Sequence, residues 1–241
     1  MSFLTSPIRF LLHKLGFDLT RWPASTERFE AQVIACLRAF PVHGLIDVGA
    51  RNGSFSSSIC SELNLQHLIF VDPDLSGLQV NFFKNNVRKV DLLEAAAFSR
   101  KDTLTLYTYV SPDFTSLLPP TPFGASQFPQ SLEVVSESRL NVDTLDNLVF
   151  SRLIPEMRYA LKVDVQGVDL QVLLGSSLVI SAVDIICLEV SFQPIYQEQS
   201  LYDEIFAFMK SHSFKLSSLT PVTRDSSRGL IEANVVFVRE S

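Results

Sequence analysis

Glycine and charged residues are scarce in this sequence. Only 9 of the 241 residues are glycine and 19% are charged, whereas 46% are hydrophobic and 19 are phenylalanine. Disordered chains and long coiled coils have the opposite composition, so both classes are excluded. The length suffices for one globular domain with a substantial core.

Cysteine is scarce as well. Cys36, Cys60 and Cys187 are widely spaced, with no CxxC pair and no histidine at ligand spacing from them. This pattern argues against a disulfide framework and against a zinc site. We therefore assign no metal ligands, with metal dependence left open, and expect a reducing compartment, namely the cytoplasm.

Long apolar runs are missing too. No segment reaches the ~18 uninterrupted apolar residues of a transmembrane helix. The apolar segment 1–17 is interrupted by a proline and by basic residues and has no small-residue cleavage site, so we do not interpret it as a signal peptide. We expect residues 1–40 to form a helical extension packed on the domain; weak peripheral membrane contact through residues 10–15 is the alternative.

Positive charge is in deficit. The chain has 20 Lys and Arg against 26 Asp and Glu, a formal net charge of −6. Non-specific affinity for nucleic acid comes from basic side chains that release condensed counterions. Nucleic acid is therefore not an expected partner.

Short apolar segments alternate with helical ones in the first half of the chain. We expect strands at 44–48, 68–71, 90–98, 104–110, 134–142, 159–163 and 183–190, and helices over 27–40, from 54, over 75–86, from 143, over 168–174 and over 202–211. Such alternation is typical of a parallel sheet covered by helices. The last two strands, at 214–219 and 231–238, are expected to form an antiparallel hairpin.

Proline is concentrated in one stretch. Five of the 12 prolines fall within residues 112–129. A segment of this length inside a compact domain is often a lid or a binding loop. A solvated surface insertion is the alternative.

A glycine-containing turn follows the first expected strand. Residues 47–53 read DVGARNG, so Gly49 and Gly53 have GxxxG spacing. The tighter GxGxxG turn would place a pyrophosphate at the helix N-terminus, and its absence weakens a dinucleotide interpretation. A ligand without phosphates, bound through ribose, amino and carboxylate groups, tolerates the looser turn. Glycines present for packing alone are the alternative.

Asp72 ends the next strand. An acidic side chain at this place can accept hydrogen bonds from both ribose hydroxyls of a nucleoside. Asp72 could instead cap the helix that follows, a role for which Asp74 competes. Together with the glycine turn, Asp72 favours nucleoside binding.

These motifs resemble those of the FkbM-type S-adenosylmethionine-dependent methyltransferases. Residues 47–53 are similar to the family's glycine loop, 71–73 (VDP) to its acidic strand end and 116–118 (SLL) to a central element. Residues 161–167 (LKVDVQG) are similar to its most recognisable block. The likeness extends over roughly residues 40–240, so the methyltransferase domain is placed at 41–241.

The resemblance implies an α/β, class I methyltransferase (Rossmann-like) fold with a mostly parallel seven-stranded sheet and a C-terminal antiparallel hairpin. It also implies the cofactor S-adenosylmethionine and an acceptor with a free hydroxyl, a sugar, glycan or related metabolite. The implied cofactor-binding residues are Asp47, Gly49, Ala50, Arg51, Asn52, Gly53, Asp72, Ala97 and Asp164. The implied substrate-binding residues are Ser116, Gln166 and Tyr196.

Methyl transfer to a hydroxyl needs a base for its proton. Asp164 ends the fourth strand of the parallel sheet and is the leading candidate, with Glu189 near the end of the fifth strand as the second. By strand alternation Lys162 points away from the neighbours of Asp164 and could hold a charge partner. The four histidines, of which His67 is one, do not cluster, so we expect them at the surface or at helix ends.

Two positions depart from the family pattern. The family commonly has Asn directly after Gly-Ala and Glu in an Asp-Val-Glu-Gly block, whereas this chain has Arg51 and Gln166. A glutamine cannot act as a base or as a charged metal ligand, so these roles would fall mainly to Asp164. Two alternatives stay open: an NAD-linked Rossmann oxidoreductase, and a methyltransferase fold that binds without catalysing.

Overall fold

The large sheet of this computed structural model, which describes residues 28–240, has seven strands. They are β1 (Val42–Val48), β2 (His67–Asp72), β3 (Lys89–Glu94), β7 (Arg158–Val163), β8 (Val183–Ser191), β9 (Phe214–Arg224) and β10 (Leu230–Arg239). Their spatial order is β3-β2-β1-β7-β8-β10-β9. The first five run parallel, and β10 is antiparallel to both β8 and β9. The predicted mostly parallel seven-stranded sheet and its C-terminal antiparallel hairpin are confirmed.

A second, three-stranded sheet lies beside the first. It contains β4 (Ala96–Phe98), β5 (Asp102–Tyr109) and β6 (Val134–Thr144), in the order β4-β6-β5. The sequence predicted one continuous strand over 90–98, which is wrong. The chain leaves the large sheet at Ala95, whose N–H still donates to the Asp72 carbonyl at 3.1 Å, and all three residues of β4 are buried.

Helices cover both faces of the large sheet. They are α1 (Phe29–Ala39), α2 (Ser54–Glu62), α3 (Val80–Asn86), α4 (Pro122–Gln127), α5 (Leu145–Val149), α6 (Asp169–Leu174), α7 (Ser177–Ser181) and α8 (Tyr202–Ser211), with short 3-10 turns at Pro112–Phe114 and Phe150–Arg152. All six residues of β2 and the last five of β7 are buried, as expected of parallel strands packed on both faces. In the part of the chain described, no helix is long and apolar enough to cross a bilayer.

Two helical predictions require correction. Helix α3 begins at Val80 rather than at Leu75, because the carboxylates of Asp72 and Asp74 accept hydrogen bonds from the N–H groups two residues on. Such local bonds compete with helix formation. The second correction is that α4 and α7 were not predicted at all.

Helix α1 contains the described part of the expected N-terminal extension. Its Val33 and Leu37 are buried in the core on one face of the large sheet. The expectations for residues 1–27, including membrane contact and the absence of a signal peptide, lie outside the described residues.

His67 is wholly buried, so its expected surface position is wrong. Its Nδ1 lies 2.8 Å from the Tyr159 hydroxyl and its Nε2 lies 2.8 Å from Asp91 Oδ2. Burial lowers the pKa of His67. Because His67 begins β2, the network lies at the amino edge of the sheet, away from the carboxyl edge where parallel sheets bind ligands.

Candidate functional site

A cavity of about 760 Å³ opens at the carboxyl edge of the large sheet. It lies where the strand order reverses between β1 and β7, the usual ligand position in open α/β sheets. The turns after β1, β2 and β7 form one side, and Leu106, Thr108 and Leu140 of the small sheet form another. The volume is within the range of small-molecule sites.

Gly49 is where the backbone of the first turn comes closest to β7. Its φ is +73°, and a Cβ at this position would lie 1.9 Å from the Asp164 carbonyl oxygen. Its N–H donates to the Val71 carbonyl at 2.9 Å, so the turn is tied to β2 as well. Gly53 has the same φ, but a Cβ there would lie 2.5 Å from the Leu78 side chain. Gly53 is therefore required for packing against Leu78.

Lys162 supports the floor of the cavity. Its Nζ donates to the Gly49 carbonyl at 2.9 Å and lies 3.3 Å from Asp47 Oδ1 and 3.4 Å from Asp164 Oδ2. Burial lowers the pKa of Lys162, but attraction to the two carboxylates outweighs burial and the net shift is upward. The lysine thus holds Asp47 below the cavity and Asp164 at its edge. A lysine inside an apolar strand was the sequence signal for this role.

Asp72 accepts two backbone hydrogen bonds at the cavity wall. Its Oδ2 accepts from the N–H of Arg51 and its Oδ1 from the N–H of Asp74, both at 2.8 Å. Burial raises the pKa of Asp72, and the two N–H donors oppose that rise. Since α3 begins after Gln79, Asp72 is not its N-cap.

Gln166 links the two candidate bases. Its Nε2 donates to Asp164 Oδ1 at 3.2 Å and to Glu189 Oε2 at 3.3 Å. Its side-chain Oε1 lies 3.1 Å from the Tyr196 hydroxyl, and its main-chain carbonyl oxygen accepts a hydrogen bond from Ser116 Oγ at 2.6 Å. Residues from three separate parts of the chain therefore meet at Gln166.

The proline-rich stretch forms a wall of the cavity. Pro112, Asp113 and Thr115 line it, and the guanidinium of Arg51 pairs with the Asp113 carboxylate across its mouth. Behind this wall the segment packs on Tyr109 and Ile195. The position fits the lid interpretation rather than a solvated insertion.

Most predicted site residues line this cavity. Those that do are Gly49, Arg51, Asn52, Asp72, Ala97, Ser116, Asp164, Gln166 and Glu189. Those that do not are Asp47, Ala50, Gly53 and Tyr196. The lining residues of the small sheet and Asp113 were missed, because no local pattern indicates which distant segment closes a cavity. Within residues 28–240, no group of three or more His, Cys, Asp or Glu side chains is arranged to hold a metal ion.

The sequence matches the model of a known protein family. The methyltransferase FkbM domain matches residues 47–216. No curated protein sequence matches the chain.

Several solved structures are similar in fold. The methyltransferase domain of bacterial CtHen1 is 9% identical, covers 87% of this chain and 96% of its own, and has a TM-score of 0.47. A precorrin-6y C5,15-methyltransferase from Geobacter metallireducens is 12% identical, covers 92% of this chain and 94% of its own, and has a TM-score of 0.45. The 1,6-didemethyltoxoflavin-N1-methyltransferase of Burkholderia thailandensis was solved with 1,6-didemethyltoxoflavin and S-adenosylhomocysteine. It is 11% identical, covers 99% of this chain and 88% of its own, and has a TM-score of 0.45.

Proposed function

The chain belongs to the FkbM family of S-adenosylmethionine-dependent methyltransferases, and we propose that it methylates a hydroxyl oxygen of a sugar, glycan or related metabolite. The observation that carries this proposal is the Asp164 carboxylate, which lines the same cavity as Gly49 and Asp72. A hydroxyl becomes a strong nucleophile only as its proton is removed, so a carboxylate in the cavity suits an oxygen acceptor. Family membership decides against the NAD-linked alternative.

The residues of the cavity fit S-adenosylmethionine. Gly49 lets the turn after β1 lie close against the end of β7 at the cavity, and the carboxylates of Asp72 and Asp164 complement a ligand with sulfonium and ammonium charges. Gly49, Arg51, Asn52, Asp72, Ala97 and Asp164 would hold it. When bound, it supplies a methyl carbon on a positively charged sulfur, so that an O–CH₃ bond forms while the C–S bond breaks and its electron pair stays on sulfur.

In this mechanism Asp164 accepts the proton of the acceptor hydroxyl. Lys162 fixes the orientation of that carboxylate from below. The cavity walls hold the acceptor oxygen in line with the reacting carbon, an effect that supplies roughly 7–11 kcal/mol in well-oriented reactions. The cytoplasm is the proposed compartment, where the free cysteines Cys36, Cys60 and Cys187 stay reduced.

S-adenosylhomocysteine is expected to raise the melting temperature, and Asp72→Ala is expected to abolish the rise. At 100 times the Kd a ligand adds about 2.7 kcal/mol, which in a chain of this size corresponds to about 5–10 °C. Thermal unfolding with and without the ligand measures the shift. Asp203→Ala, an exposed carboxylate on α8, should keep it in full. A full shift in Asp72→Ala would refute this placement of the cofactor.

A neutral acceptor is expected to react better than its phosphorylated counterpart. Five carboxyl groups among the described residues line the cavity, those of Asp72, Asp74, Asp113, Asp164 and Glu189, against one basic side chain, Arg51. The negative charges of this site repel a phosphate group, so kcat/KM should be at least about tenfold lower for the phosphate ester than for the neutral acceptor. Transfer of a labelled methyl group to matched sugars measures this ratio. No transfer to any hydroxyl, with transfer to amines, would overturn the proposed acceptor class.

A further inference from the structure

We propose that Gln166 and Tyr196 are positioning residues: Tyr196 orients the Gln166 amide, and the amide directs one N–H to each of the carboxyl groups of Asp164 and Glu189 and so holds Asp164 in place as the base. The inference rests on the proposed function, since it concerns the base of that reaction. It replaces a substrate-binding role for Tyr196, whose side chain is 1% exposed and does not line the cavity.

The two ends of the Gln166 side chain have partners of opposite character. A primary amide offers two N–H donors on nitrogen and only acceptors on oxygen. The nitrogen faces Asp164 at 3.2 Å and Glu189 at 3.3 Å, so each carboxyl group receives one N–H. The Tyr196 hydroxyl lies 3.1 Å from Oε1 and 2.9 Å from the Phe114 carbonyl oxygen, and its one proton is shared between these two acceptors. Its donation to Oε1 keeps the amide nitrogen turned to the acids.

The backbone at Gln166 is held in a costly conformation. Its φ of +49° is left-handed, which is uncommon for a residue with a side chain. Ser116 Oγ donates to its carbonyl, and a Cβ on the following Gly167 would lie 2.9 Å from the Tyr196 ring. Strain of this kind persists where the surroundings over-determine it, and it clusters at functional sites.

The charges around the two carboxyl groups are unequal. Asp164 has the Lys162 ammonium 3.4 Å away as well as the amide. Burial raises the pKa of Glu189, and the carboxyl groups of Asp164, Glu232 on β10 and Asp169 on α6 raise it further; only the Gln166 amide opposes them. Of the two neighbouring acids, Glu189 has no cation beside it and is the one on which a proton is favoured, whereas Asp164 lies beside the ammonium and is placed to act as the base.

Gln166→Glu should therefore shift the acid side of the pH profile of kcat/KM upward by about one unit or more. The substitution keeps the shape of the side chain but replaces the donor with a third carboxyl group. For each pH unit by which the profile moves, activity well below the shifted limb should fall up to about tenfold more than activity at about pH 8.5. Gln193→Glu adds the same charge at an exposed position of the β8–α8 loop and should leave the profile unchanged. An unshifted profile in Gln166→Glu would overturn the inference.

Tyr196→Phe should lower kcat, leave the KM for S-adenosylmethionine unchanged and shift the profile in the same direction by a smaller amount. Tyr109→Phe is the matched control, because this buried tyrosine packs in the same cluster but donates to the Leu118 carbonyl instead. Adding Tyr196→Phe to Gln166→Ala should shift the profile no further. Equal effects of the two tyrosine variants would reduce Tyr196 to a packing role and refute the proposal.

A measurement on the cofactor-free protein separates this inference from the proposed function. In Gln166→Glu the folded site retains a proton that the unfolded chain releases near its ordinary carboxyl pKa of about 4.3. The folded state then binds more protons, so the stability deficit against wild type should grow as the pH rises from about 4.5 to about 7.5. Thermal unfolding across this range tests it without methyl transfer. A constant deficit would contradict the inference even if the enzyme methylates a hydroxyl.

Discussion

Asp164→Asn is expected to lower kcat by about 10²–10⁴-fold, the usual contribution of a positioned general base. The asparagine keeps the size of the side chain and its contact with the Gln166 amide, but it cannot take the hydroxyl proton. Lys162 would still have Asp47 as a partner at 3.3 Å, so the floor of the cavity should persist. Single-turnover rates on a working acceptor measure the loss. Because Asp72 and the turn at Gly49 also hold the cofactor, the affinity for S-adenosylhomocysteine should change by only a few-fold.

Glu189→Gln is the control for the base assignment. If Glu189 is protonated in the resting site, a glutamine reproduces its neutral state and should alter kcat only a few-fold. A larger loss in Glu189→Gln than in Asp164→Asn would transfer the base to Glu189, the second candidate. Loss of S-adenosylhomocysteine binding in Asp164→Asn would instead indicate that Asp164 mainly holds the cofactor.

The parts of the site predicted from sequence are those set by local chain geometry. Gly49, Asp72 and Asp164 each follow an apolar strand, and carboxyl ends of parallel strands meet at one edge of a sheet. The apolar runs of β2 and β7 identify those strands from composition alone. Fold class and the central wall of the cavity followed from these features, together with the family resemblance.

The parts that could not be predicted depend on contacts between distant segments. Arg51 looked like a departure from the family loop, and its pairing with Asp113 needs the proline-rich segment to fold over the cavity. Tyr196 lies behind Gln166 instead of in the cavity because the β8–α8 loop packs on that same segment. No periodicity or turn signal carries such information.

Gly49→Ala is expected to destabilise the protein by about 2–4 kcal/mol, a loss of about 5–15 °C in melting temperature. The new Cβ would lie 1.9 Å from the Asp164 carbonyl, and alanine is strained at a φ of +73°. The Asp164 backbone cannot move aside as a flexible side chain would, because the Asp164 N–H donates to the Val48 carbonyl at 3.1 Å. Relief must therefore come from separating the ends of β1 and β7, which moves the Asp164 carboxylate away from the glycine turn.

Gly77→Ala is the matched control for this prediction. Gly77 also lines the cavity, but its added Cβ would meet Asn52 at 3.6 Å, an ordinary contact. Its melting temperature should stay within about 2 °C of wild type, since surface substitutions away from such features cost little. Equal melting temperatures for the two variants would mean that Gly49 is not needed for the close approach of β1 to β7. A destabilised Gly49→Ala that binds S-adenosylhomocysteine normally would show instead that the close approach serves the sheet and not the cofactor.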